Sequence, residues 1–212
     1  MKKFLLLLAL VGLWADPAQA LMVTRPGGWL FMYERAKNDD MSHILYGLSR
    51  KESIGFRTEF ERGEGGSRDH SIQSLEYNRL VRRWNFEEAQ GNFYVHGAAG
   101  VAESGTTKRG AYHGGFSADY ETRRIYTLYE FNAKHAGEIE TSVEQKARVG
   151  FAPYVAGYYD FNTWLILQVD HEPAADDTVT FTPMARFYYK TYLLEAGANE
   201  HKEVFLNFTT RF

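Results

Sequence analysis

Regular alternation of polar and apolar side chains is the sequence feature that most constrains the fold of this chain. In the segment Lys202–Phe212, the side chains of Val204, Leu206 and Phe208 fall on one side of an extended strand, and that of Asn207 falls on the other. A period of two is typical of a β-strand whose two faces meet different surroundings. Similar segments of about nine to twelve residues recur along the chain, and this is the length that a tilted strand needs to cross a bilayer.

On this basis the sequence predicts twelve strands. They span Gly28–Lys37, His43–Arg50, Glu52–Arg62, His70–Trp84, Gln90–Ala102, Ala111–Glu121, Arg124–His135, Glu144–Ala156, Thr163–His171, Val179–Tyr189, Thr191–Asn199 and Lys202–Phe212. Tight turns alternate with longer, polar connections, which is typical of up-and-down barrels with both chain ends on one side. We therefore predict an all-β fold, namely a single-chain, antiparallel, up-and-down transmembrane β-barrel of about twelve strands.

Three residues conflict with this pattern. Pro153 and Pro183 fall inside predicted strands, although a closed barrel has no free edge at which a missing N–H would be harmless. Arg79 falls on the face that is expected to contact lipid, unless its strand contains a bulge. We expect bulges at these positions, and a barrel of ten strands is the alternative.

The N-terminus predicts export. A basic start at Met1–Lys3 precedes the apolar run Phe4–Trp14 and the small-residue pattern Ala18-Gln19-Ala20. This order is typical of a cleaved signal peptide. We predict a signal peptide over residues 1–20 and the barrel over residues 21–212. The chain contains no cysteine, which excludes a lipid-anchored lipoprotein, disulfides and thiolate metal sites.

The C-terminus resembles a known assembly signal. Phe212 ends an alternating strand that also carries Phe208, and this resembles the insertion signal of small Gram-negative outer-membrane β-barrels. The resemblance implies location in the outer membrane, contact with outer-membrane lipids, and passage through periplasmic chaperones and the barrel-assembly machinery. Twelve-stranded barrels of this kind include sugar-acid channels, nucleoside channels, autotransporter translocators and lipid-cleaving enzymes, so the fold alone does not give the function.

Composition agrees with a barrel and narrows the partners. The chain has 15 Phe, 14 Tyr and 4 Trp, residues that favour strands. Its mean hydropathy of −0.42 suits a barrel in which only alternate residues meet lipid. The formal net charge of −3 argues against a nucleic-acid partner, which needs a basic surface.

Charged and large polar side chains fall mainly on the face opposite the apolar one, and we predict that they line the lumen. They are Arg57, Glu59, Glu76, Glu130, Lys134, Glu144, Lys146, Arg148, Trp164, Asp170, Arg186 and Glu195. A charged side chain that faces lipid destabilises the barrel by about 2–4 kcal/mol at the bilayer midplane.

Folding the hairpins about their expected loops predicts specific pairs. Glu130 is expected to face and contact Arg148 across the seventh and eighth strands, with Lys134 opposite Glu144. Other expected neighbours are Arg57 with Glu76, Trp164 with Arg186 in a cation–π contact, Asp170 with Thr180, Gln168 with Thr182, and Glu195 with Asn207.

The polar interior is compatible with two functions between which the sequence does not decide. One is a narrow passive channel for small polar solutes, and the other is a closed structural barrel braced by charge pairs. The mixture of signs predicts weak ion selectivity. We predict no cofactor and no metal site, because the histidines are scattered near strand ends.

The enzymatic alternative is an outer-membrane lipid hydrolase or lipid-modifying enzyme. His96 is expected to face Ser117 on the next strand, with Asp119 one pair further, which would supply a base, a nucleophile and an orienting carboxylate. Polar residues also meet inside barrels without catalysis, so the sequence favours a protein that is not an enzyme. An adhesive barrel is disfavoured because the connections are short.

Overall fold

The computed structural model describes residues 22–63, 69–157, 159–173 and 177–212, and the expected signal peptide lies outside these ranges. The described residues form twelve β-strands. They are β1 (Trp29–Ala36), β2 (Asp39–Gly47), β3 (Glu52–Glu61), β4 (His70–Asn85), β5 (Ala89–Ser104), β6 (Thr107–Thr122), β7 (Ile125–His135), β8 (Thr141–Phe151), β9 (Asn162–His171), β10 (Val179–Tyr189), β11 (Tyr192–Ala198) and β12 (Val204–Arg211). In these ranges no helix is long and apolar enough to cross a membrane.

The strands close into one antiparallel barrel in which each strand pairs with its sequence neighbours and β1 pairs with β12. At the seam Tyr33 lies opposite Phe208, and the backbones of Trp29 and Phe212 exchange hydrogen bonds of 2.8 and 3.0 Å. Closure leaves no sheet edge open. The predicted twelve-stranded up-and-down barrel is confirmed, and the ten-stranded alternative is wrong. We call the end at which Trp29 and Phe212 lie the terminal end, and the other end the distal end.

Several strand boundaries differ from the sequence prediction, and β2 begins four residues earlier than expected, at Asp39. β5 and β6 extend to a two-residue turn at Gly105 and Thr106, where a longer loop was expected; Gly105 adopts a φ of 59°, which glycine tolerates. β8 begins three residues earlier than expected, at Thr141, and ends at Phe151. Pro153 therefore follows the strand, and the expectation of a proline inside it is wrong.

Pro183 does lie inside β10, where it pairs with Leu167 in continuous register, so the bulge expected there is wrong. The ladder between β10 and β11 stops at Met184, one residue away. Phe181 lies two residues before Pro183, so its N–H points to the same side of β10 as the ring nitrogen of Pro183. This N–H donates a hydrogen bond to the Glu200 carboxylate at 3.1 Å. Proline is tolerated because a β11 backbone acceptor no longer lies opposite it.

The bulge expected in β4 exists, but it lies after Arg79, between Leu80 and Arg82. Arg79 thus keeps its place on the outer face, 56% exposed and 3.9 Å from Glu52. The bulge instead turns Arg83 inward, where its Nε donates to Asn92 at 2.7 Å. The expectation that a bulge would remove Arg79 from the outer face is wrong.

The outer surface of the barrel is apolar. Exposed aliphatic side chains cover its middle: Ile44, Leu75, Val95, Val101, Val149, Leu165, Leu167 and Leu194. Exposed aromatic side chains surround its terminal end: Trp29, Trp84, Phe86, Tyr120, Tyr154, Tyr159, Phe161, Tyr189, Tyr192 and Phe212. Phe208 lies on the same outer face and stacks on Tyr192 with ring centroids 6.4 Å apart. Polar side chains are turned inward, which is the reverse of a water-soluble protein.

Candidate functional site in the barrel lumen

A cavity of about 270 Å³ lies inside the barrel. Its lining extends from Glu172 and Glu203 at the distal end to Met22, Leu30 and Thr209 towards the terminal end. This volume holds several water molecules or part of a small solute.

The structure places all twelve residues expected in the lumen on the inner side of the wall. Nine line the cavity: Arg57, Glu59, Glu76, Glu130, Lys134, Glu144, Lys146, Arg148 and Asp170. The other three, Trp164, Arg186 and Glu195, are buried deeper, at 5%, 4% and 0% exposure. Alternation alone therefore places these side chains on the correct face, because parity does not depend on loop length.

One fully buried carboxylate, that of Glu195, lies between two guanidinium groups. Glu195 accepts a hydrogen bond of 2.6 Å from Arg186 Nε and lies 3.3 Å from an Arg148 nitrogen. Arg148 Nε also donates to Gln168 at 2.7 Å. The guanidinium of Arg186 lies over the ring of Tyr126, 4.4 Å from its centroid. This network ties β8, β9, β10 and β11 together at the wall.

Several cross-strand pairs agree with the sequence prediction. Thr180 lies opposite Asp170, Thr182 opposite Gln168, and Asn207 opposite Glu195. Trp164 also lies opposite Arg186 in the register. The cation–π contact that we expected between these two residues is wrong, however, because Arg186 stacks on Tyr126 instead.

The register between β7 and β8 differs from the prediction by two residues. Glu130 lies opposite Lys146, and Leu128 lies opposite Arg148. The expected contact between Glu130 and Arg148 is therefore wrong, as is the pairing of Lys134 with Glu144, since Ser142 lies opposite Lys134. The reason is that the connection spans only residues 136–140, which moves β8 by two positions while every side chain keeps its face.

Arg57 and Glu76 are displaced in the same way. Ser74 lies opposite Arg57, and Gly55 lies opposite Glu76, so the expected pair is wrong. Arg57 Nε instead contacts Glu59 at 2.6 Å. Glu76 is buried and lies 2.6 Å from His43 Nδ1.

The hydrolase constellation does not form. His96 lies opposite Gly115, while Ser117 lies two residues further along, opposite Tyr94. His96 Nε2 is 2.7 Å from the Asn132 side-chain oxygen. Asp119 accepts a hydrogen bond of 2.7 Å from Asn92, not from His96. A nucleophile needs its base within hydrogen-bond reach, and the base needs its orienting carboxylate. The predicted facing of His96 and Ser117 is wrong, because Gly115 and not Ser117 lies opposite His96.

At the distal end, the connection between β7 and β8 folds into the lumen. Ala136 is fully buried in an apolar cluster with Ile72, Ala102 and Ala111, and Ile139 packs against the same cluster. Burial of these small apolar side chains anchors the connection to β4, β5 and β6.

This anchoring places Glu140 among charged neighbours. Its Oε2 is 2.9 Å from His70 Nε2, and its Oε1 is 2.9 Å from Lys134 Nζ. Burial by itself would raise the pKa of the Glu140 carboxyl, but hydrogen bonds from His70 and Ser142 and the Lys134 ammonium lower that pKa to about 2. Glu140 is therefore ionised at physiological pH. The sequence pattern does not indicate this residue, because residues 136–143 are expected there to form a solvated loop.

At the terminal end, Met22–Arg25, which we call the N-terminal segment, turns into the barrel. The Met22 carbonyl oxygen accepts a hydrogen bond of 2.5 Å from Ser53 Oγ, and Val23 packs against Leu80 and Tyr94. Thr24 is buried as well. The segment forms the floor of the cavity. The sequence signal for it is Gly47, because a Cβ there would lie 2.1 Å from the Arg25 carbonyl oxygen.

The lining is acidic. Among the described residues that line the cavity, twelve are Asp or Glu and five are Lys or Arg. Both signs are present, as the sequence predicted, but in unequal numbers. The acidic residues absent from the predicted lining lie mostly near strand ends: Glu34, Asp39, Asp40, Glu61, Asp119, Glu172 and Glu203.

No protein-family model matches the chain, and no curated protein matches its sequence. Among solved structures, it is similar to KdgM porin in complex with disordered oligogalacturonate, with a TM-score of 0.54, 6% identity, and coverage of 87% of this chain and 98% of that chain. A second structure, of KdgM porin, gives a TM-score of 0.51 at the same identity and coverage. The chain shares the twelve-stranded barrel fold of a porin. At this identity the likeness concerns the fold alone.

Proposed function

We propose that this protein is an outer-membrane channel through which small solutes pass, and that it favours cationic and neutral solutes over anionic ones. The single observation that carries the proposal is the acidic lining of a cavity enclosed by an apolar barrel wall. The wall supports insertion into lipid, and the lining supports a hydrated, charge-selective path.

Membrane insertion follows from the outer surface. Aliphatic side chains such as Leu75 and Leu165 are exposed at 66% and 57%, and an aromatic belt surrounds the terminal end. Outer-membrane barrels carry such an apolar band and aromatic girdles where the lipid ends. Export by a signal peptide over residues 1–20, periplasmic chaperones, insertion by the assembly machinery through Phe208 and Phe212, and contact with outer-membrane lipids complete this proposal.

Selectivity follows from the balance of charge in the lumen. The lining residues carry an excess of seven formal negative charges, counted without histidine. A narrow path with low-dielectric walls and one dominant sign of charge concentrates ions of the opposite sign. Some of these carboxylates are paired, as Glu34 is with Lys146 at 3.4 Å, but the twelve anionic lining side chains outnumber the five cationic ones.

The acidic lining of this chain favours a different class of solute from the one that the KdgM porin structure holds. One KdgM porin structure holds oligogalacturonate, which is an oligomer of sugar acids. A polyanion would meet repulsion from the acidic lining here. We therefore do not propose oligogalacturonate as the solute, and we propose small sugars, amino sugars and inorganic cations instead.

A closed structural barrel is the second candidate. It is favoured by the Arg148–Glu195–Arg186 network and by the apolar contacts of Val23, which fill the lumen near the terminal end. In that case the acidic residues would only hydrate the distal half of the lumen.

Liposome swelling distinguishes the two candidates and tests selectivity together. The chain without residues 1–20 is reconstituted into vesicles, and swelling is followed in a neutral hexose, an amino sugar and a hexuronic acid of equal size. The channel predicts rapid entry of the first two solutes and several-fold slower entry of the third. A Glu172→Gln/Glu203→Gln variant should reduce this discrimination. Absence of swelling in all three solutes would support the structural barrel instead.

A further inference from the structure

Three side chains meet at the distal mouth of the lumen, and we call them the mouth cluster: Glu61 at the end of β3, His70 at the start of β4, and Glu140 in the connection between β7 and β8. Their ligand atoms all lie within 4.8 Å of one another. His70 Nε2 is 2.9 Å from a Glu140 oxygen and 3.4 Å from a Glu61 oxygen. A tetrahedral ion with bonds of about 2.0–2.1 Å holds its ligand atoms about 3.4 Å apart. The two distances from His70, 2.9 and 3.4 Å, are close to this spacing.

The cluster is held in place by its surroundings. Glu140 comes from a distant part of the chain and is brought to His70 by the apolar anchoring of Ala136 and Ile139. Its other oxygen is fixed by Lys134 Nζ and by Ser142 Oγ, each at 2.9 Å. Hydrogen bonds that orient a ligating carboxylate in this way are typical of built metal sites. The other oxygen of Glu140, Oε2, lies 2.9 Å from His70 Nε2.

Acidic side chains surround the mouth cluster, and this favours the binding of a cation. Asp39 lies opposite Glu61 in the register and interacts electrostatically with Glu61, Glu140 and Glu144. The Lys134 ammonium lies nearby, and it is shared between Glu140 and Glu59. Carboxylates that lie close together in a partly buried position repel one another, and a multivalent cation bound between them relieves this repulsion.

We propose that Glu61, His70 and Glu140 bind a divalent transition-metal ion, with Zn²⁺ as the best match, at the mouth of the lumen. An imidazole nitrogen with two carboxylate oxygens is a ligand set that suits Zn²⁺, whereas Ca²⁺ and Mg²⁺ prefer oxygen ligands only. Water would complete the coordination. The bound ion would link the β7–β8 connection to β3 and β4. The inference does not depend on whether the lumen conducts.

Zinc binding to the whole chain without residues 1–20, refolded in detergent micelles, tests the proposal by isothermal titration calorimetry at neutral pH. We expect one saturable Zn²⁺ per chain, and at least about tenfold weaker binding in His70→Gln and in Glu140→Gln. His171→Gln is the matched control, since His171 contacts the carboxylate of Asp177 at 2.8 Å and does not belong to the mouth cluster. It should bind as the parent does.

Two further measurements keep the test decisive. Glu61→Gln changes a ligand that is 39% exposed, so folding should survive, and a heat-modifiable gel band verifies folding of every variant. Co²⁺ in place of Zn²⁺ should give the visible absorption of a nitrogen- and oxygen-ligated ion, and His70→Gln should abolish it. Absence of saturable Zn²⁺ binding by the folded parent, or equal binding by the parent and all three ligand variants, would overturn the proposal.

Discussion

The fully buried carboxylate of Glu195 accepts a hydrogen bond of 2.6 Å from Arg186 Nε. Arg148 approaches the same carboxylate at 3.3 Å, so one anion serves two guanidinium groups from different strands. Inside a barrel wall such charges are costly unless they are paired. The relationship explains how three buried, charged side chains are accommodated at the barrel wall.

Replacing Glu195 with Gln should strongly destabilise the barrel, because Arg148 and Arg186 would remain buried without a counter-charge. We expect a loss of about 3–5 kcal/mol in the free energy of unfolding, measured by guanidinium titration in micelles. Glu103→Gln is the control, since Glu103 pairs with Lys108 at the exposed ends of β5 and β6, and it should have little effect. Equal stability of the two variants would contradict the role given to Glu195.

Disulfide trapping tests the register of β7 and β8. Residues directly opposite in an antiparallel pair have Cα atoms about 4.5–5.5 Å apart, within the range of a disulfide. A Glu130→Cys/Lys146→Cys variant should therefore cross-link under mild oxidation, and the chain has no other cysteine to interfere. A Glu130→Cys/Arg148→Cys variant should remain reduced, because diagonal neighbours are about 7–8 Å apart. The opposite result would restore the register expected from the sequence.

Two glycines of β5 should respond differently to a methyl group. A Cβ at Gly100 would lie 1.9 Å from the Gln73 carbonyl oxygen, so the backbone of β4 must move. At Gly97 the nearest atom would be the His113 carbonyl oxygen at 3.7 Å, an ordinary contact. Gly100→Ala should lose at least about 1–3 kcal/mol of stability and yield less folded barrel on heat-modifiable gels, whereas Gly97→Ala should fold normally. Similar yields from both variants would show that β4 and β5 are less closely spaced at Gly100 than the 1.9 Å distance indicates.

The N-terminal segment should control the width of the path. Deleting Met22–Thr24 removes the floor of the cavity, and we expect a larger single-channel conductance. Ser53→Ala removes the hydrogen bond to Met22 and should increase the frequency of large openings. Ser49→Ala, which changes a hydroxyl in a turn outside the lumen, should leave the recordings unchanged. Unaltered conductance after the deletion would show that the segment does not limit the path.

Strand number and side-chain direction could be predicted because both depend on parity, which alternation along the chain records directly. Glu195 and Arg186 were placed inward in this way. Pairing could not be predicted to the residue, because it depends on the length of each connection. The sequence predicted Arg148 instead of Lys146 opposite Glu130, and Ser117 instead of Gly115 opposite His96. Both two-residue errors arise because the connections are shorter than their composition suggested.

A different physical cause explains why two residues of the site could not be predicted from the sequence. Glu140 and Met22 lie outside regular strands, and tertiary contacts bring them into the lumen: the burial of Ala136 for one, and the Ser53 hydrogen bond for the other. Neither contact leaves a periodic signal in the sequence. The acidic excess was underestimated for a related reason, since residues such as Asp39 and Glu203 lie where strands meet connections.

The reversal potential across a planar bilayer that separates two KCl concentrations tests the central claim most directly. Twelve acidic against five basic side chains in the lining predict discrete channels whose current reverses at the sign set by K⁺, with selectivity that falls as the salt concentration rises. A Glu172→Gln/Glu203→Gln variant should shift the reversal potential towards zero. A current that reverses at the sign set by Cl⁻, or a folded barrel that never conducts, would contradict the account.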